Sequence, residues 1–580
     1  MKKINFLLIG ILGILLLNSC KRVELEPRDW FGEDLVFDTL DRNGTVLTFN
    51  LFDLYNYLPG GFSRISGDYL DAASGDAVPS RNNTLVEYYT NKRFSVLNNP
   101  DPYWDNSYAG IRRVNIFLKN VGKVPTLITV DSTLSRTNRR YMRAEARFIR
   151  AQLYFELLKR YGGVPLIGDT VFSIKDNLQI PRNTYEECVN YIVAECNKAK
   201  DSLRVEAVAD ADWGRIPRGA AVALKSRVLL YAASPLYNGG GESADAAMKA
   251  FTGYPTYDAN RWQLAVNAAE EFKALGYYGL LTTGTPTAYI AQFITKKNVE
   301  VILQKQSGNN FSLETNQAPV GFTGTVASYG NTSPTQNFVD AFPMSNGLQP
   351  FNPDGTVNAA SGYSEAAPYT GRDPRLAATV FFNDATWLNR KIETFEGGLD
   401  KPNKSTTSVQ TKTGYYLRKF LGNFATSTSY SNQSHNFTIF RYAEILLNYA
   451  EALNEVGRVE DAVTQIKLIR SRAGITPGTD SRYGISVGIS QAAMRTLIQN
   501  ERRIELAFEE HRFWDLRRWK LAPTALNTTL YGMKVTKNGT AFTYERVPVT
   551  NIYFEKKMYL MPFPYDEVIK NLQLKQNEGW

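Results

Sequence analysis

The stretch Tyr69 to Tyr89, YLDAASGDAVPSRNNTLVEYY, has no helical period and concentrates side chains that could do chemistry. It holds the carboxylates Asp71 and Asp76, with Asp68 just before them. It also holds the amides of Asn82 and Asn83, the guanidinium of Arg81, and the rings of Tyr69, Tyr88 and Tyr89. Aromatic faces stack on the C–H face of a pyranose, and planar polar groups pair with vicinal hydroxyls, so this mixture suits a hydroxyl-rich ligand. Two of the acids could instead form a glycosidase pair, which needs carboxyl groups about 5 to 9 Å apart across a cleft. An Asp- and Asn-rich loop can also hold structural Ca²⁺, but EF-hand spacing is absent and no cofactor is expected. Tyr329 and Trp387, in a second irregular region, are further aromatic candidates. Each of these residues has a plainer use as a half-buried loop anchor.

A second stretch is denser still. Asn500 to Lys520, NERRIELAFEEHRFWDLRRWK, places eleven charged residues, one His and four large aromatics in twenty-one positions. Ile504, Ala507 and Phe508 continue a helical face begun at Leu497, and Phe513, Trp514, Leu516 and Trp519 read as packing residues. Glu501, Glu505, Glu509 and Asp515 lie close to Arg502, Arg503, Arg512, Arg517 and Arg518. The expectation is a partly buried ion-pair network that locks helices together and touches no ligand. Arg139, Arg143, Arg147 and Arg150 form a similar stripe, and are expected to pair with acids of neighbouring helices while their stems cover apolar surface.

Other chemistries lack their markers. The chain has two His, His435 and His511, and no HExxH, paired CxxC or GxSxG. Cys188 and Cys196 sit eight apart in a helical pattern, roughly 12 Å at 1.5 Å per residue, too far for a disulfide. The net charge of +9 is mild for 580 residues and forms no basic blocks, so nucleic-acid binding is not expected.

The elements that must position these residues are mostly helices. Tyr141, Ala144, Phe148, Ala151, Phe155 and Leu158 step at helical spacing, ahead of Gly162 and Gly163. Thr184 and Glu187 make a capping box for a second helix. Further helices are expected in IPRGAAVALKSRVLLYAASPLYNGGG, from Ile216, and in DANRWQLAVNAAEEFKALGYYGL, from Asp258, and a helix pair turns near Gly457. Leu446, Tyr449, Ala450, Leu453, Ala462 and Ile466 fit the tetratricopeptide pattern, in which small residues let paired helices approach closely. Residues 59–102 and 281–435 read as long irregular regions with small strands, and such regions commonly carry function.

The amino terminus has Lys2 and Lys3 followed by twelve apolar residues, Phe6 to Leu17, too short to span a bilayer but right for a signal peptide. Leu17-Asn18-Ser19-Cys20 resembles the bacterial lipobox, which implies a signal peptide at 1–19, cleavage before Cys20 and lipidation of that residue. Glu24 and Glu26 form a weak instance of an acidic surface-export address. The chain as a whole resembles the SusD/RagB family of outer-membrane nutrient-binding lipoproteins. The resemblance runs in family order through WDNSYAGIRRVNIFL at Trp104, RAEARFIRAQLYFELLKRYGGVPLI at Arg143, GRDPRL at Gly371, FRYAEILLNYAEALNEVG at Phe440 and the carboxy-terminal YLMPFPYDEVIKNLQLKQNEGW. Glu510 departs from it, standing where the family commonly has Gly.

The resemblance implies a mainly α fold over one domain, 20–580: about four tetratricopeptide-like helix pairs, with irregular loops and small β elements carrying the ligand site. It implies no catalysis. It implies a lipid-anchored, surface-exposed outer-membrane protein that captures an oligosaccharide, or in some members a peptide, for a SusC-like TonB-dependent transporter. The competing readings are a surface glycoside hydrolase and a periplasmic tetratricopeptide scaffold that binds proteins.

Overall fold

The structure is a computed structural model that describes residues 36–126, 132–173, 175–282, 288–322, 327–403, 409–428 and 430–580. The expected lipidation site, Cys20, and the signal peptide lie outside the described residues. The scaffold is a stack of helices: α1 (Thr45–Tyr55), α2 (Tyr103–Asn120), α3 (Ser132–Tyr161), α4 (Tyr185–Lys200), α5 (Arg218–Ala233), α6 (Asn260–Lys273), α7 (Tyr442–Glu455), α8 (Val459–Ala473), α9 (Gln491–Glu505) and the short α10 (Arg512–Arg518). From α2 to α8 each helix packs on the next, so α6 and α7 are neighbours although residues 274–441 intervene in the chain.

Local sequence explains these helices. Along α3, the residues Ala144, Phe148, Ala151, Phe155 and Leu158 are buried, as a 3.6-residue period requires. The helix ends at Gly162, whose φ is +76° and where a Cβ would lie 2.5 Å from the Phe251 carbonyl oxygen. The capping box opening α4 is formed: Glu187 N–H donates to Thr184 Oγ1 at 3.1 Å, and Thr184 N–H to Glu187 Oε2 at 2.7 Å. Helix α5, RGAAVALKSRVLLYAA, is buried nearly all round, and its alanines let α4 and α6 close on both sides. Cys188 and Cys196 are buried free thiols.

Two members of the arginine stripe of α3 form the expected ion pairs: Arg147 and Arg150 reach Glu195 of α4 at 3.0 and 2.8 Å, and Arg150 also reaches Asp169 at 2.7 Å, whereas Arg139 donates to the Val124 carbonyl at 3.3 Å. The Asn500–Lys520 stretch forms a larger network. Arg375 contacts Asp373, Glu501 and Glu505 at 2.8, 2.7 and 2.9 Å. Arg441 contacts Glu300, Glu505 and Glu509 at 2.9, 2.8 and 2.7 Å. Asp515 joins Arg502 to Arg518, at 3.1 and 2.7 Å. All side chains named in this larger network are buried.

The sheets are small. Strand β1 (Ala77–Pro79) pairs antiparallel with β3 (Thr332–Pro334), in the register Ala77↔Pro334 and Pro79↔Thr332. This short ladder joins the two irregular regions. Strand β2 (Val301–Lys305) pairs with β4 (Phe437–Arg441) and so closes the base of the second region. A long hairpin, β5 (Thr529–Asn538) and β6 (Ala541–Asn551), turns at Gly539 and Thr540.

Candidate functional site

The β1–β3 ladder continues past its last strand residues and fixes the loop that follows. Ser80 N–H donates to the Asn331 carbonyl at 2.7 Å. The Ser80 hydroxyl donates to the Gly330 carbonyl at 2.5 Å and lies 2.7 Å from Ser333 Oγ. Arg81 then folds back, its Nη2 donating to the Ser66 carbonyl at 2.6 Å and to Asp68 at 3.2 Å. Asn83 adopts φ +58°, a left-handed conformation that Asn tolerates better than most residues. Glu87 accepts from Thr84 N–H at 3.1 Å and so caps the 3₁₀ turn Leu85–Tyr89. Lys412, from the second irregular region, donates to the Arg81 carbonyl at 2.9 Å. Tyr553 N–H donates to the Thr90 carbonyl at 2.9 Å, docking the end of the β5–β6 hairpin against the same loop.

Between these three segments lies a cleft of about 480 Å³, within the range of small-ligand sites. Its floor is Ala72, Val78, Pro79, Val549 and Ile552. Its walls carry the carboxamides of Asn82, Asn83, Asn91 and Asn551, the hydroxyls of Thr90 and Thr550, and the charges of Glu87, Arg93 and Lys412. Carboxamides offer donor and acceptor side by side, which is what neighbouring sugar hydroxyls require. Burial pulls the Lys412 ammonium below the usual lysine range, and the Glu87 charge opposes that shift. A second cleft, of about 610 Å³, is lined largely by Trp104, Tyr108, Ile111, Phe172, Leu178 and Ile180. It also carries Asp105, Arg112, Thr170, Ser173, Glu567 and Asn571 beside its apolar lining, and unlike the first cleft it does not join the two irregular regions.

The structure separates the sequence candidates into two groups. Asn82 lines the cleft, and Arg81 and Tyr88 flank it, with the Arg93 guanidinium 4.5 Å above the Tyr88 ring. Tyr329 is 45% exposed and stands at the same end of the β1–β3 ladder as Arg81. Asp68, Tyr69, Asp71, Asp76, Tyr89 and Trp387 are buried, so their role as surface ligand contacts is corrected to an interior one. Asp71 accepts the Phe508 N–H at 3.0 Å, where Phe508 has φ +59°. Asp76 meets Arg503 at 2.5 Å, and Asp68 accepts from Thr332 Oγ1 at 3.3 Å. Tyr69 stacks on Phe420 with ring centroids 6.2 Å apart, and Tyr89 packs against Phe94 and Phe513. Trp387 donates to the Gly422 carbonyl at 3.3 Å between Phe322 and Phe381. The three aspartates are thus tied into the interior, and they do not face one another across an open cleft.

Sequence reasoning missed Asn91, Arg93, Lys412, Thr550 and Asn551. The first three fall inside the irregular regions, where nothing in the pattern singles them out. Asn551 belongs to the hairpin, whose signal was available: alternating β-branched and aromatic residues around the two-residue Gly539–Thr540 loop, with Gly539 at φ +63°.

Comparison with known proteins matches residues 298–580 to the SusD family model and residues 62–230 to a model described as starch-binding, associating with the outer membrane. The chain is 24% identical over 491 residues to SusD-like protein P2 of Formosa agariphila, covering 82% of this chain and 79% of that one. It superposes on a SusD-like protein of Bacteroides fragilis with a TM-score of 0.74 and 27% identity, covering 94% of this chain and 98% of that one. A laminarin-binding SusD-like protein superposes with a TM-score of 0.61 and 22% identity, over 93% and 100% of the two chains.

Proposed function

Because the chain belongs to the SusD/RagB family, whose members bind carbohydrate and associate with the outer membrane, we propose that it captures an oligosaccharide in the cleft between Asn82, Lys412 and Asn551. The observation that carries this reading is the lining: four carboxamides, two cations and one carboxylate converge from both irregular regions and the hairpin onto an apolar floor. Asn82, Arg81 and Tyr88 are the sequence candidates that remain in play there, with Tyr329 as an exposed ring at the ladder's end. The protein forms and breaks no covalent bond. It is anchored to the outer membrane through lipid on Cys20, faces outward, and hands its ligand to a SusC-like TonB-dependent transporter. One relative of the same fold is described as laminarin-binding, which makes β-glucan oligosaccharides a reasonable first probe.

The reading is tested with purified protein beginning at Lys21, by calorimetry against a panel of oligosaccharides, with chromatography of the ligand afterwards. Saturable binding with the oligosaccharide recovered intact is expected. Time-dependent cleavage would favour the hydrolase reading, and binding confined to peptide pools would replace glycan by peptide.

A further inference from the structure

We propose that the saccharide seated in this cleft carries an anionic substituent, a uronate carboxylate or a sulfate ester, held between Lys412 and Arg93. The inference rests on the cleft being the glycan site, and adds the charge of the ligand. Three observations support it.

The first concerns rings. A neutral pyranose is commonly gripped by an aromatic face. None of the residues that line the cleft is aromatic. The two tyrosines at its border each already carry a cation: Arg93 lies 4.5 Å above Tyr88, and Lys92 lies 4.1 Å above Tyr553. The cleft therefore offers directional polar contacts in place of a stacking platform.

The second concerns charge. Among the lining residues Glu87 is the sole carboxylate, against two cations. Arg93 Nη2 is 3.9 Å from Glu87 Oε2, and Lys412 Nζ is 4.0 Å from Glu87 Oε1. Neither distance is a direct hydrogen bond. Glu87 Oε2 is already accepting the Thr84 N–H of the 3₁₀ turn. An oxyanion entering the cleft would supply acceptors that Glu87 leaves short, and Arg93 can meet a carboxylate or sulfate with its planar fork.

The third concerns solvation. The Lys412 side chain is 28% exposed, and its ammonium is held by the Arg81 carbonyl at 2.9 Å. A partly desolvated ammonium gains more from an incoming anion than a solvated one does. The four carboxamides remain for the hydroxyls of the same sugar or its neighbour.

The test uses protein beginning at Lys21 and three probes: oligogalacturonate, chondroitin sulfate oligosaccharides, and neutral laminarin oligosaccharides. Each is titrated at low and high NaCl, and again with the Lys412→Met and Arg93→Met variants. At least one anionic probe is expected to bind about tenfold or more tightly than laminarin, and to weaken as salt rises. Each variant is expected to lose about tenfold or more for that probe, with an unchanged circular dichroism spectrum and Tm. The two anionic arms distinguish a carboxylate from a sulfate. Laminarin binding as tightly as either anionic probe, or anionic binding indifferent to both variants, would overturn the inference and leave the glycan reading standing. If no probe of either kind binds, the glycan reading falls and the inference falls with it.

Discussion

Glu510 shows how a single residue can be read only with the backbone in view. The family resemblance implies a Gly at this position, and its φ is +61°, the left-handed region that favours Gly. Its carboxyl group is paired with Arg64, which also holds Asp101 at 2.6 Å. The chain thus combines a strained backbone with a half-buried ion pair. Asp515, on α10, is buried between Arg502 and Arg518. Asp515→Ala leaves both guanidinium groups short of a partner and is expected to cost about 3–5 kcal/mol, read as a lower Tm, while glycan affinity changes less than about twofold. Asp71 behaves oppositely to an ion-paired acid. Burial, followed by the charge of Asp76, pushes its carboxyl up to about 8. An acid whose folded pKa exceeds its unfolded one holds its proton more tightly when folded. Its contribution is therefore full below about pH 4 and is lost as pH climbs toward about 8. Asp68, raised to about 6 by burial, acts in the same direction. Glu156, lowered to about 2 with Lys159 and Arg160 beside it, has finished titrating below that window. Asp71→Asn is expected to flatten the loss of stability between pH 5 and pH 8 by up to about 1.4 kcal/mol per pH unit, measured by urea unfolding at several pH values.

At the scale of elements, the helices were legible and the loop carboxylates were not, for one physical reason. Helical burial repeats every 3.6 residues, so Ala144 to Leu158 announce their face locally, and Thr184 with Glu187 announces a helix start. Asp71 and Asp76 look like binding groups because they sit in a stretch without helical period that also holds Arg81, Asn82 and Asn83. Their partners, Phe508 N–H and Arg503, lie more than 400 residues away in sequence, where no local pattern reaches. The long Asn500–Lys520 stretch was legible as a network because it carries both signs of charge together with an apolar helical face. The β1–β3 ladder, which brings the cleft's loops together, offers its own test. At Gly330 φ is +53°, and an added Cβ would lie 2.2 Å from Tyr416 Cε1. Tyr416 is itself fixed by its hydrogen bond to the Asp400 carbonyl at 2.7 Å. Gly330→Ala is therefore expected to cost about 2–4 kcal/mol from strain and overpacking, and to weaken glycan binding with it. Gly355→Ala, at φ +85° with open space around it, should cost only the strain, about 1–2 kcal/mol, and leave binding intact. Tm and calorimetry on the pair separate the two effects.

At the scale of the whole molecule, a helix stack holds an insert, residues 274–441, between two helices that touch each other. The proposed membrane anchor is a single residue at the far amino terminus. Cys20→Ser is accordingly expected to move the protein from the membrane fraction to the soluble one without changing its Tm or its affinity, as fractionation and calorimetry of the purified chain would show. The short ladder between β1 and β3 has a further consequence, for the order of events during folding. Neighbouring helices such as α7 and α8 meet after closing a turn of a few residues, but Ser80 must find Gly330 across 250 residues of chain. Contacts between distant residues form late, because chain entropy is lost before they repay it. The newly made protein should therefore acquire its helices first and its capacity to hold a ligand last, so a half-folded copy would be helical yet empty-handed.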